Sequence, residues 1–365
     1  LVIRGGTIRV DVATTPHAPK VPTSRNGAAP AQPRIEASPD GPVRVYGLSE
    51  LDARIPLVRI STPARDPILV RIAELRGTLA DPALTITALQ AEIITAGDSL
   101  RFTLDRAAMP GTIVQGGGAV RWPQDTVLFD WALSADTVDL DDLRWISPDF
   151  PSWQGRGEVV ARSNSNTQTE YRLEKLTLGH GVTRAVGRMV AIVDTKRGLG
   201  FRDLDLMLTQ TPLAVMRPYL DTLPFAGMLE GRLRLDGFLD AMRVAGDLRL
   251  ADALVPGQPI STFRTDGVIH FGGDEGAVFD GFQLLDASVA LGTVRRVVPA
   301  MLLPGQLHLV GRLNGPWQNA RFDGLAEHMA PNQAMSRLLG AVRLDTRREV
   351  LGVEYVDRAL ANATE

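Results

Sequence analysis

The sequence predicts an all-β chain with a few short helices: an elongated curved antiparallel sheet, a β-taco or groove with an apolar concave face, built from repeats of roughly 74 residues. Three observations lead there. Apolar and polar residues alternate with period two in segment after segment, the pattern of half-buried strands. Helical periodicity is scarce and brief. The text repeats internally, with Gly231 and Gly237 falling 74 positions before Gly305 and Gly311.

Along the chain, residues 1–50 read as edge strands. IRGGTIRV is strand-like, a Pro/Ala/Ser-rich stretch at about 14–42 reads as a flexible loop, and VRVYGL resumes the pattern. Residues 51–330 form the repeated region. ALTITAL, GEVVAR, LEKLTLG, LDLMLTQ, GDLRLAD and GQLHLVG are strands separated by Gly, Pro, Asn or Asp. LDTLPFAGMLEGRLRLDG (220–237) is echoed by VPAMLLPGQLHLVGRLNG (298–315) and more weakly by WISPDFPSWQGRGEVVAR (145–162). Each copy follows a short helical segment: VDLDDLRW, TPLAVMRPYL or GTVRRVV. In the second, Thr211 is expected to cap, Pro212 to open the helix, and Leu213, Met216 and Leu220 to share a face. Residues 331–365 form a C-terminal helix/strand segment of unassigned role.

The chain has 365 residues, mean hydropathy +0.01 and net charge −3. No segment concentrates Lys and Arg with interleaved aromatics, so nucleic acid is not an expected partner. With 0 cysteines, disulfide and thiolate chemistry are excluded. No run of about 18 apolar residues occurs, so no transmembrane helix is expected. Because it opens on Leu1 and not Met, the chain is expected to be a segment of a larger protein.

Chemistry candidates are few. His17, His180, His270, His308 and His328 lack metal-ligand spacing, and His308, between Leu307 and Leu309, belongs on the solvent face. Asp139, Asp141 and Asp142 suit the first turn of a short helix better than a cation site. Gly116-Gly117-Gly118 reads as a turn or bulge, and residues 272–276 as a hairpin connection. No serine sits in a nucleophile elbow. No enzyme, cofactor or metal is expected.

The apolar faces must be covered by a second sheet, by helices, or by a curved sheet closing around a non-protein ligand. Helices are too few. Aromatics make up only 5%, and the apolar faces mix Gly and Ala with Leu and Val, which favours curvature and open space. Trp, Tyr and Phe form no girdles of the membrane-barrel kind. A protein-filled sandwich or β-solenoid is the alternative.

The pattern PφxGxLxGxLxLxGxL followed by VxGDLxLxDA, clearest over residues 204–324, resembles the TamB and AsmA-like superfamily, bacterial relatives of bridge-like lipid-transfer proteins. The resemblance implies a groove spanning the periplasm of the Gram-negative cell envelope, anchored in the inner membrane by an N-terminal helix lying outside this chain. It implies phospholipid transport between inner and outer membranes, with acyl chains as partners. The residues expected to line the groove are Leu204, Leu206, Leu208, Leu229, Gly231, Leu233, Leu235, Leu239, Val244, Leu248, Leu250, Leu307, Leu309 and Leu313. The alternative functions are an assembly factor that pairs strand edges with an outer-membrane β-barrel partner or autotransporter, and a structural β-solenoid.

Overall fold

The computed structural model describes residues 1–13, 34–38, 41–60, 67–80, 83–123, 126–145, 150–163, 165, 167–216, 225–271, 276–296, 303–331, 335–345 and 350–360. The chain divides into two compact units, Leu1–His180 with Val190–Lys196, and Gly181–Met189 with Arg197–Glu365.

The first unit is an antiparallel ladder. Its strands are β1 (Val2–Ala13), β2 (Arg34–Ser38), β3 (Gly41–Arg54), β4 (Leu57–Arg59), β5 (Ile68–Leu79), β6 (Leu84–Ala96), β7 (Ser99–Ala108), β8 (Ile113–Arg121), β9 (Leu128–Asp139), β10 (Gln154–Ser163) and β11 (Gln168–His180). β1 pairs with β3, β3 with β5, and each strand from β5 to β11 with the next; β2 borders the start of β3, and β4 prolongs the ladder of β3 along β5. The expected loop at 14–42 is therefore shorter, because Arg34–Ser38 is a strand in register with β3; residues 14–33 lie outside the described residues.

β12 (Thr183–Asp194) begins in the second unit. That unit continues with β13 (Gly198–Pro212), β14 (Gly227–Phe238), β15 (Ala241–Asp252), β16 (Ile260–Phe271), β17 (Ala277–Ala290), β18 (Gln306–Pro316), β19 (Arg321–Met329), β20 (Met335–Asp345) and β21 (Val350–Leu360), each from β13 onward antiparallel to the next. Among its described residues, the C-terminal segment expected to be helix/strand forms two strands, β20 and β21.

Among the described residues the close backbone packing is between ladder neighbours or between a strand and a short helical turn. Nevertheless Ala161 in the first unit and Ala287 in the second are 0% exposed. Each is an alanine covered by larger side chains on the neighbouring strands, Trp131 and Tyr171 beside Ala161 and Phe263 and Leu309 beside Ala287.

The repeat is four strands and a helical turn. Leu140–Leu143 follows β9, Leu213–Met216 follows β13, and helix α1 (Leu291–Arg295) follows β17. Leu140 and Leu213 are 73 residues apart, and Leu213 and Leu291 are 78. Each turn is preceded by the same clamp. A buried hydroxyl at the head of one strand binds the backbone at the tail of the next: Thr112 Oγ1 accepts from Asp139 N at 2.9 Å, Thr183 Oγ1 donates to Gln210 O at 2.8 Å, and Ser261 Oγ accepts from Ala290 N at 3.0 Å.

Of the two offsets in the sequence, the structure follows the 78 residues by which 298–315 echoes 220–237 and not the 74 that separate Gly231 from Gly305. Gly305 matches Gly227: both precede or open the first strand of a repeat, with φ of +106° and +140°. A Cβ on either would collide with the carbonyl oxygen of Met329 or Ala251 on the neighbouring strand, and a Cβ on Gly155 would collide with that of Thr177. Three repeats thus place glycine where two backbones approach too closely for a side chain.

Two local expectations change. Thr211 and Pro212 end β13 instead of opening a helix, because the Thr211 hydroxyl is engaged with Arg184 O at 3.4 Å; the helical turn is only Leu213–Met216, and Leu220 lies outside the described residues. Gly116–Gly118 occupy the interior of β8, not a turn, where Gly118 lies against the backbone of Trp131. Residues 272–275 are outside the described residues, but Phe271 pairs with Ala277, as a hairpin requires.

Candidate functional site

The inner face of the second unit is the site. Its strands are laid in register so that apolar residues oppose apolar or small ones. Leu204 faces Leu235, and Leu235 faces Val244. Leu206 faces Leu233, Leu208 faces Gly231, Gly231 faces Leu248, and Leu229 faces Leu250. On β18, Leu307 faces Val289, Leu309 faces Ala287, and Leu313 faces Phe282. Thirteen of the fourteen expected lining residues therefore share one face. Leu204, Leu208 and Leu250 are buried and the others half-buried.

Leu239 is the exception. β14 ends at Phe238, and Leu239 sits in the turn to β15 at 37% exposure, so it does not line the face. The alternation of the sequence runs one residue past the strand.

The most buried part of the face was not legible from alternation. Phe282, Leu284, Ala287 and Phe322 form a cluster packed by Phe263, Phe279, Leu309 and Leu313. In β17 the ladder to β18 shifts register between Phe279 and Phe282 and again between Leu284 and Ala287. Each bulge inserts a residue and changes which parity faces inward, so a strict period of two loses the face twice within one strand. Gly281, with φ +57°, marks the first shift, and a glycine inside a strand segment is the signal in the sequence that could have found it.

The first unit carries an inner face of the same kind. Ile93 opposes Phe102, Phe102 opposes Gly118, Gly118 opposes Trp131, and Ala161 lies between Trp131 and Tyr171. The Trp131 and Tyr171 rings meet edge to face at 6.3 Å, and burial pushes the Tyr171 hydroxyl pKa up. Aromatics thus gather on this face although they are sparse in the chain.

The outer face of the second unit is ionic. Arg232 Nε donates to Asp205 at 2.7 Å, Arg243 binds Asp266 through two nitrogens at 2.9 and 2.8 Å, and Arg249 reaches Glu230 at 3.2 Å. His308 lies on this face as expected, 3.1 Å from both Asp286 and Glu327. These pairs are largely exposed, and such pairs contribute about 0.2–1 kcal/mol each, so they mark the wet side and do not hold the sheet together. Hydrogen bonds from Arg232 and Arg243 hold the Asp205 and Asp266 carboxyls below the ordinary aspartate pKa, against the opposing effect of burial. A depressed folded-state pKa stabilises the fold above the unfolded value of about 3.9 and is lost as pH falls through the folded value. The expected result is a modest loss of thermal stability below about pH 4 that is smaller in an Asp205→Asn/Asp266→Asn variant. Equal pH slopes for the two proteins would remove these pairs as the cause.

Other candidates resolve into local structure. Asp139 Oδ1 caps the helical turn by accepting from Asp141 N at 2.9 Å, Asp141 accepts from Ser152 at 3.0 Å, and Asp142 accepts from Gly111 N at 2.8 Å. His17 lies outside the described residues. Among the described residues no group of three His, Cys, Asp or Glu is placed to hold a metal, and no helix is long and apolar enough to cross a membrane. A pocket of about 560 Å³ in the first unit, bordered by Arg106, Met109, Pro110 and Gln154, brings together no nucleophile and base. Comparison with protein-family models, with curated proteins and with solved structures returns no match.

Proposed function

We propose that the inner faces are lipid-binding troughs and that the chain is a segment of a periplasm-spanning conduit for phospholipid between inner and outer membranes. One observation carries the reading: from β13 to β19 the second unit presents a continuous apolar face along one antiparallel ladder, with the ionic pairs on the other side. Left in water, that surface is costly. An acyl chain laid along it is stabilised by about 0.8 kcal/mol per buried methylene. Burial is non-directional, so such a trough needs no residue that recognises a particular lipid, while the ionic outer face keeps the sheet wetted. Attachment to the inner membrane and the periplasmic setting rest on the family resemblance.

A photo-crosslinker at Leu233 on the inner face is expected to capture acyl chains, identified by mass spectrometry, while one at Val310 on the outer face captures none. Client strand peptides recovered from Leu233 would favour the assembly-factor reading. Equal lipid capture at both positions would sink the conduit.

A further inference from the structure

The cavity of about 560 Å³ in the first unit lies where the ladder is interrupted on neighbouring strands. The β7–β8 pairing shifts between Leu104 and Ala107, so Asp105 and Arg106 have no partner across on β8. The β8–β9 pairing skips Asp136, and the β9–β10 pairing shifts between Gly155 and Gly157. Bulges re-aim side chains, and here Arg106 of β7 and Thr137 of β9 border one cavity together with Thr87 of β6. Another wall is the Met109–Thr112 turn. Met109 N donates to Thr112 O at 2.8 Å, Gly111 N donates to Asp142 at 2.8 Å, and Gln154 is fixed by its donation to Asp139 at 2.7 Å. The cavity is therefore preformed.

Among the residues that border it, Arg106 alone is charged. Arg106 belongs to none of the ion pairs of this unit, although Arg71, Arg76, Arg162 and Lys175 are each matched to a carboxylate. The adjacent carboxylates are already engaged: Asp139 accepts from Asp141 N and Gln154, Asp141 from Ser152, and Asp142 from Gly111 N. Asp105 and Asp136 are exposed and do not border the cavity. Ala108, Ile113 and Val138 give it an apolar side.

We propose that this cavity binds a small organic phosphate, a phosphate group carried on a compact apolar body. The guanidinium fork and the hydroxyls of Thr87 and Thr137 offer donors to more oxygens than a carboxylate has. The volume falls within the range of about 300–1,000 Å³ of small-molecule sites and is larger than an inorganic anion fills, which is the reason for an apolar body. With no nucleophile and base at its border, the site holds its ligand without turning it over. It lies in the first unit and does not rest on the lipid reading of the inner faces.

The test is calorimetric titration of the full chain with hexyl phosphate. Saturable binding is expected, weakened at least about tenfold in Arg106→Gln and less in Arg106→Lys, which keeps the charge but loses the fork. Thr137→Val is expected to weaken it about threefold or more. Inorganic phosphate is expected to bind at least about tenfold more weakly than hexyl phosphate, because it leaves the apolar wall in water. Leu233→Asp on the inner face of the second unit is expected to bind hexyl phosphate as the parent does, so the loss of one reading leaves the other standing. Circular dichroism is expected to report the same fold for every variant. Equal binding of hexyl glucoside, parent-like binding in folded Arg106→Gln and Thr137→Val, capture of phosphatidic acid vesicles without binding of hexyl phosphate, or no binding at all would overturn the proposal.

Discussion

Leu229→Asp/Leu233→Asp/Leu307→Asp is expected to reduce the lipid retained on purification by at least about tenfold, equivalent to about 1.4 kcal/mol, with the strand signature of the far-ultraviolet spectrum preserved. All three side chains are half-buried on the inner face and stand apart from the cluster around Phe282 and the residues packed against it, so a polar replacement can be hydrated without dismantling the core. An acyl chain passing over them would have to desolvate three carboxylates, and burying a charge without a partner costs far more than losing a methylene contact. Val310→Asp on the outer face of β18 is the matched control, expected to retain lipid. If the triple variant failed to fold, Leu→Asn replacements at the same positions would ask the same question without charge. Full lipid retention in a folded triple variant would falsify the trough.

The second large effect concerns architecture. Gly227→Ala is expected to destabilise the fold by about 3 kcal/mol, measured by urea unfolding, because φ is +140° and the new methyl would meet the Ala251 carbonyl. Gly181→Ala has positive φ, +59°, but no atom within 4 Å of the added carbon. It therefore isolates the backbone cost, about 1 kcal/mol. Similar losses in the two variants would mean that close backbone approach at the head of the repeat is unimportant. Because Gly305 repeats the geometry of Gly227 at Met329, its alanine variant is expected to follow Gly227 and not Gly181.

These two results address different parts of the same device. Glycine at the head of a repeat lets strands close up, and the strands so paired carry the apolar face.

Period two by itself determined that the chain is antiparallel β and which side of most strands is apolar. It reaches the face through Leu229, Leu233, Leu248 and Leu309 because a pleated strand sends alternate side chains to opposite sides regardless of context. The cap residue Asp139 also marked the helical turn at Leu140–Leu143, whereas Pro212 ends β13 instead of opening the next one. Tertiary structure decided two things: the end of β14 before Leu239 and the inward position of Phe282. Each depends on what a neighbouring strand does. A ladder chooses its bulges and its ends by pairing two strands at once, and no pattern within a single strand carries that information.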